Sequence, residues 1–352
     1  MSFASTLFSF FFLVWTALAT LVNPLDTSPV DHAAMTSLAW PFFKVENASD
    51  TRYADLTFLN GTSSPDDTTS TDISQATSSQ TTVTSEIDLA EAIVNIYCVQ
   101  KTDTYRRTVS GTGFFISERG VVLTNAHVGQ FLLLEKAVDM GETNCYIKTG
   151  EKAEAAYEID ILYLSPTWLL AHADLISDPA PHGSGENDFA LLYVTKSVND
   201  TPLPEKFPFL PPTTSPLTAK FRNSTVILVG YPTTDLSSGL RVTATSTVTN
   251  IYTFQTGYAD ILTLSSSVLG HEGASGGPVI DHLGRAIGVI STKDEGTTNL
   301  NAITLPHIDR AIKKETGFDL MSTIQGDLGL RAALFNRTVA PILQNLLTNN
   351  LR

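Results

Sequence analysis

The hydrophobic and polar positions divide the chain into segments of three kinds. Twenty residues from Phe3 to Val22 carry no charge and are mostly apolar, which is enough to cross a bilayer as one helix. From Gly61 to Ser85 the residues are nearly all Ser, Thr, Asp and Gln, a composition typical of a flexible tether. Beyond it, short runs rich in β-branched and aromatic residues alternate with Gly, Pro and Asn, which predicts strands joined by turns.

The N-terminal apolar segment predicts an early encounter with a membrane. We expect residues 1–24 to stay in the chain as a transmembrane anchor, followed by a flexible tether over residues 25–86. The small residues Ala17 and Ala19 also resemble a signal-peptide cleavage site, and cleavage there would give a secreted protein instead. An anchor followed by a tether predicts a single-pass membrane protein whose folded part lies outside the cytoplasm.

The charge of the chain limits its partners. The formal net charge is −14 at pH 7, and the sequence pI is about 4.8. The chain therefore offers no basic stripe that could displace counterions from phosphate, and we expect no nucleic-acid partner.

One serine lies in a setting suited to a nucleophile. Ser275 is flanked by Gly273 on one side and by Gly276, Gly277 and Pro278 on the other. Glycines allow backbone amides to converge beside the hydroxyl, although an ordinary surface turn has the same composition. The G-x-S-x-G elbow of α/β-hydrolases also fits, but an elbow needs a helix next, and the following residues predict strand, turn and strand.

A nucleophilic serine needs a base and an acid that orients the base. His127 follows a short apolar strand pattern that begins at Gly120, so its imidazole is expected at a strand end. Asp188 directly precedes the apolar run from Phe189 to Val194, where a carboxylate can be desolvated; Glu186 is a weaker alternative. The chain order is therefore His, Asp, Ser, as in chymotrypsin rather than in subtilisin or α/β-hydrolases.

These motifs together resemble a family. The segments TNAHV around His127, ENDFALL around Asp188 and GASGGP around Ser275 are similar to those of trypsin-like serine proteases, most similar to the bacterial HtrA (Deg) branch. The resemblance covers roughly residues 87–318, and the three motifs in this order are far more specific than any one alone.

The resemblance implies an all-β fold of two antiparallel barrels, over residues 87–200 and 201–322, with the active site between them. It implies His127 as base and acid, Asp188 as its orienting acid, Ser275 as nucleophile, and the Gly273 and Ser275 amides as oxyanion hole. It implies neither a metal nor a cofactor. The remaining residues, 323–352, have helical apolar spacing interrupted by Pro341, which predicts a C-terminal helical tail. The 34 residues after Phe318 are too few for the PDZ domain that many HtrA proteins append. The oligomeric state is left open.

Two cysteines, Cys98 and Cys145, lie in strand-like runs. In an exported chain a disulfide is favoured over two free thiols. In the family that the chain resembles, the matching strands of the first barrel are neighbours, which supports the pairing.

The resemblance also suggests a substrate pocket. Its floor corresponds to Leu269, and the strand that carries Val289, Ile290 and Ser291 corresponds to its wall. An apolar floor would leave a buried cation without a partner, so we expect cleavage after uncharged, small to medium apolar side chains.

The predicted function is that of a membrane-anchored, extracytoplasmic serine endopeptidase acting on proteins or peptides through an acyl-enzyme. The main alternative is a catalytically silent binding protein of the same fold. An esterase with the same triad is disfavoured only by the resemblance.

Overall fold

The structure is a computed structural model that describes most of the chain beyond residue 85. Its described residues are 54–55, 86–103, 106–137, 141–178, 183, 185–233, 239–254, 258–265, 267–293 and 299–351. The strands are β1 (Ala54–Asp55), β2 (Ile93–Lys101), β3 (Arg106–Ser117), β4 (Val121–Thr124), β5 (Glu142–Thr149), β6 (Glu154–Leu164), β7 (Ala190–Ser197), β8 (Thr225–Gly230), β9 (Val242–Thr253), β10 (Ile261–Leu264), β11 (Pro278–Ile280), β12 (Ala286–Lys293) and β13 (Leu300–Thr304). The helices are α1 (Glu86–Glu91), α2 (Ala126–Gly129), α3 (Pro166–His172), α4 (Leu305–Thr316), α5 (Leu320–Thr323), α6 (Leu328–Thr338) and α7 (Ala340–Leu351). Short 3-10 helices span Gln130–Lys136, Ala173–Ser177 and Ala219–Phe221.

Strands β2 to β7 form a closed antiparallel barrel in the order β2-β3-β4-β7-β6-β5. Side chains on alternate positions of the strands fill this barrel. Val94, Ile96 and Cys98 of β2 belong to one core cluster, while Ile93 belongs to another cluster on the opposite face of the strand. Cys98 lies directly opposite Cys145 across β2 and β5, and the two form a disulfide with Cα atoms 4.1 Å apart.

Strands β8 to β13 close a second six-stranded antiparallel barrel, in the order β9-β10-β13-β12-β11-β8 with β8 pairing back to β9. Residues 54–55, which fall in the predicted tether, pair with the end of β9 as β1. The two-barrel, chymotrypsin-like architecture that the motifs implied is thus confirmed.

The apolar cluster that contains Ile93 also joins the two barrels. It includes Phe114 and Leu191 from the first barrel together with Val229 and Ile303 from the second. The cleft that the resemblance assigns to the active site is therefore backed by a continuous packed core, which limits movement of one barrel against the other.

The C-terminal segment is helical, as predicted. Helix α6 ends at Thr338 and α7 begins at Ala340, so Pro341 lies in the first turn of a helix, where its missing N–H costs nothing. Phe335, Leu343 and Leu347 pack into the core cluster of the first barrel.

The predicted anchor from Phe3 to Val22 and the tether from Gly61 to Ser85 lie outside the described residues. Among the helices that the structure describes, none has the length and apolar character needed to span a bilayer.

Candidate active site

His127 is presented at the end of β4. The strand stops at Thr124, and the short helix α2 places His127 in its first turn, where the side chain is almost fully buried. The Gln130 side-chain amide donates to the His127 carbonyl at 3.1 Å and so braces this turn.

The carboxylate of Asp188 holds His127 at two points. The His127 backbone N–H donates to Asp188 Oδ1 at 2.9 Å, and His127 Nδ1 lies 2.8 Å from Asp188 Oδ2. Because a carboxylate only accepts hydrogen bonds, Nδ1 carries the proton and Nε2 keeps a free lone pair. Asp188 is fully buried, whereas Glu186, the weaker candidate, is exposed.

Two further contacts fix Asp188. The Asn125 side-chain amide donates to the Asp188 backbone carbonyl at 2.8 Å. The Ser291 hydroxyl donates to Asp188 Oδ2 at 2.9 Å, although Ser291 belongs to β12 of the second barrel. The acid is thus held by groups from both barrels.

Ser275 lies in a turn between two glycines of positive φ, Gly273 at 86° and Gly276 at 88°. A Cβ at Gly273 would overlap the Tyr231 carbonyl oxygen, and one at Gly276 would overlap that of Thr112, so both positions require glycine. Strand β11 follows at Pro278, so no helix follows the serine as an α/β-hydrolase elbow requires.

The backbone amides of this turn divide into two groups. Those of Ala274, Gly276 and Gly277 donate to carbonyls of the chain. Among the described residues, the amides of Gly273 and Ser275 donate to none, and the Ser275 hydroxyl has no hydrogen-bond partner either. Two free amides beside a free, partly exposed hydroxyl form an arrangement that can bind an oxyanion.

Thr112 of β3 connects the two barrels at this point. Its N–H donates to the Ser275 carbonyl at 2.8 Å, and its hydroxyl donates to the Gly273 carbonyl at 2.6 Å while accepting from the Tyr231 N–H at 2.9 Å. Thr124, which ends the strand before His127, donates to the Thr112 carbonyl at 2.7 Å. The sequence analysis gives Thr112 no role, and the only signal is its place in the run GTGFFI from Gly111 to Ile116, which precedes the strand that leads to His127.

The residues predicted to form the substrate pocket are mostly core. Leu269 and Val289 are fully buried and Ile290 nearly so, within apolar clusters of the second barrel and of the contact between barrels. Ser291 contacts Asp188 instead. The substrate pocket stays a prediction from the resemblance.

The profile of the trypsin-like peptidase domain matches residues 111–289. One similar solved structure is that of Rv3671c from M. tuberculosis H37Rv, as an inactive serine-to-alanine mutant; it shares 20% identity, with a TM-score of 0.41, covering 70% of this chain and 98% of that one. No curated protein matches the sequence.

Proposed function

Because the chain belongs to the trypsin-like peptidase family, we propose that it is a serine endopeptidase that uses Ser275, His127 and Asp188. The observation that carries the proposal is the paired contact of Asp188 with the backbone and the ring of His127. It fixes the imidazole in the tautomer that can accept a proton at Nε2. The free amides of Gly273 and Ser275 support the same conclusion from the side of the serine.

In the proposed reaction, Ser275 Oγ attacks the carbonyl carbon of the scissile peptide bond and its proton passes to His127 Nε2. Asp188 stabilises the imidazolium that forms. The negative charge moves to the former carbonyl oxygen, where the Gly273 and Ser275 N–H groups donate to it. Each such donor contributes about 3 kcal/mol to lowering the barrier.

Collapse of this intermediate breaks the C–N bond, and His127 gives its proton to the leaving amine. The acyl group stays on Ser275 as an ester. A water molecule, deprotonated by His127, then attacks the ester carbonyl, and the proton returns to Ser275 as the acid product leaves. The Ser275 hydroxyl needs to contact Nε2 only in the substrate complex, since catalytic hydrogen bonds often tighten on binding.

The free Ser275 hydroxyl is also the observation that favours the second candidate, a binding protein of protease fold without activity. If Ser275 never contacts His127, the protein could bind a peptide in the cleft but could not cleave it.

Location and specificity are further parts of the proposal. The apolar segment from Phe3 to Val22 and the disulfide between Cys98 and Cys145 support a membrane-anchored protease in an oxidising compartment outside the cytoplasm. Cleavage after small to medium apolar residues rests on the resemblance, which assigns Leu269 to the pocket floor; in the structure Leu269 is buried in the core of the second barrel. Similarity to the HtrA branch stays a prediction.

Labelling of the purified full-length chain with a fluorophosphonate probe tests the proposed function. The parent and a Ser215→Ala control, which removes an exposed hydroxyl, should both label, whereas Ser275→Ala and His127→Ala should not. A parent that neither labels nor cleaves a peptide library would refute activity and favour the binding protein. A peptide panel varied at the cleaved position tests specificity, and preference for Arg or Lys would contradict the apolar pocket.

A further inference from the structure

A second histidine–aspartate pair lies behind the active site. His307 is in the first turn of α4, and Asp260 directly precedes β10 of the second barrel. His307 Nδ1 lies 3.5 Å from Asp260 Oδ1, and both side chains are buried. The first-turn position of His307 is fixed by Thr304, whose hydroxyl accepts from the His307 N–H at 3.3 Å.

Asp260 is a fixed anion. Its Oδ2 accepts from the Phe254 N–H at 2.6 Å and from the Thr253 hydroxyl at 3.2 Å, and its Oδ1 pairs with Arg310. Burial would raise the pKa of Asp260, but the hydrogen bonds from His307 and Phe254 and the charge of Arg310 lower it to about 2. The carboxylate is therefore ionised at neutral pH, and it orients the ring of His307.

The other ring nitrogen of His307 contacts the loop that precedes Asp188. His307 Nε2 lies 2.8 Å from the backbone carbonyl oxygen of Glu186, two residues before Asp188. Both ring nitrogens thus face oxygen acceptors, and only the imidazolium can donate to both. The ring also packs against Phe254, with the centroids 5.1 Å apart, which restricts its rotation.

This contact ties the loop before Asp188 to the second barrel. On the first-barrel side, Asn125 holds the carbonyl of Asp188 itself. On the second-barrel side, Ser291 holds the carboxylate, and His307 holds the backbone two residues earlier. Without the His307 contact, the backbone before Asp188 has one fewer anchor to resist rotation of the carboxylate away from His127.

We propose that His307 is a positioning residue, which holds the Glu186 carbonyl so that Asp188 keeps its paired contact with His127. The proposal rests on the proposed function, since it assigns Asp188 a catalytic part. His307 does not touch the reacting atoms, and it acts only through the loop.

Two amide substitutions of different length separate this role from a general structural one. The amide nitrogen of Gln in His307→Gln reaches the place of Nε2 and can donate to the Glu186 carbonyl. The shorter His307→Asn places its amide nitrogen near Nδ1, where it can donate only to Asp260. Both replace the ring with a neutral amide at the same buried position, so they lose similar ring packing.

The experiment uses the full-length chain and two measurements. The first is the proton NMR resonance of His127 Nδ1–H, which reports the hydrogen bond to Asp188 whether or not Ser275 reacts. The second is the rate of fluorophosphonate labelling. We expect His307→Gln to keep the resonance and to label within about two-fold of the parent, and His307→Asn to shift or broaden the resonance and to label about ten-fold more slowly. Thermal unfolding should be similar for the two.

Equal behaviour of the two variants would overturn the proposal. If both match the parent, His307 does not position the loop; if both lose resonance and labelling together with thermal stability, its role is structural only. If the parent fails to label, the proposed function fails, but the resonance of His127 in the two variants still decides whether His307 positions Asp188.

Discussion

Glu135 offers a quantitative test of the packing around the disulfide. It lies in the 3-10 helix Gln130–Lys136, and its Oε1 accepts from the Cys145 backbone N–H at 2.6 Å. The pKa of Glu135 is raised from 4.5 to about 7, chiefly by burial and in part by the nearby Asp160, while the Cys145 hydrogen bond and Lys136 oppose the rise. At neutral pH the folded protein therefore holds a carboxyl group near the midpoint of its titration.

The sign of the effect on stability follows from linkage. Between pH 4.5 and about 7 the folded state binds more protons at Glu135 than the unfolded state, so its contribution to the free energy of unfolding falls as pH rises. The interval is about 2.5 pH units, and at about 1.36 kcal/mol per unit the loss is at most about 3 kcal/mol. Above the folded pKa the loss is complete.

Glu135→Gln removes the titration but keeps an oxygen that can accept from the Cys145 N–H. Relative to the parent, its free energy of unfolding should therefore rise with pH, by up to about 3 kcal/mol between about pH 4 and about pH 8. Urea unfolding at a series of pH values, without reductant, measures this. Glu205→Gln, which removes an exposed carboxylate, is the control and should give a nearly constant difference. Curves for Glu135→Gln and parent that stay parallel across this range would refute the reasoning.

Two further substitutions test the turn that carries the serine. Gly276→Ala forces a Cβ onto the Thr112 carbonyl. Its free energy of unfolding should therefore fall about 3 kcal/mol further than that of the control Gly150→Ala, because Gly150 has a positive φ of 78° but open space around it. Equal losses for the two variants in urea unfolding would contradict this. Thr112→Val leaves the Tyr231 N–H without its acceptor and the Gly273 carbonyl without its donor. The variant should therefore lose about 1–3 kcal/mol of stability and react more slowly with the fluorophosphonate probe. Thr112→Ser keeps the hydroxyl and should keep the parental stability and labelling rate. Labelling of Thr112→Val at the parental rate would show that this hydroxyl does not hold the turn.

More of the fold than of the contacts within the site could be predicted from the sequence. Short runs of β-branched residues, bounded by glycine and proline, and three motifs in one order were enough to expect two barrels. His127 and Asp188 each lie beside a strand end, a place that local pattern can reveal. Thr112 and His307 could not be found this way, because each acts on a backbone carbonyl more than a hundred residues distant in the chain. A carbonyl is present at every residue and leaves no mark in the sequence. The resemblance assigned Ser291 to a pocket wall, and only the packing of the barrels shows that it contacts Asp188.

The return of the C-terminal helices to the first barrel affects the order in which the chain can mature. Leu343 and Leu347 of α7 pack into the core cluster of the first barrel, which β2 to β7 form. The Ser177 hydroxyl also donates to the Asn350 carbonyl at 3.1 Å. During synthesis the strands of the first barrel leave the ribosome well before α7, so part of their apolar surface stays uncovered until α7 has been made. Packing α7 against the first barrel closes a loop that contains the whole second barrel. Closing so long a loop is entropically costly, so we expect this step to come late in folding. The barrel that holds His127 and Asp188 is therefore completed only when α7 packs against it, and a nascent chain that stops before α7 would lack this packing.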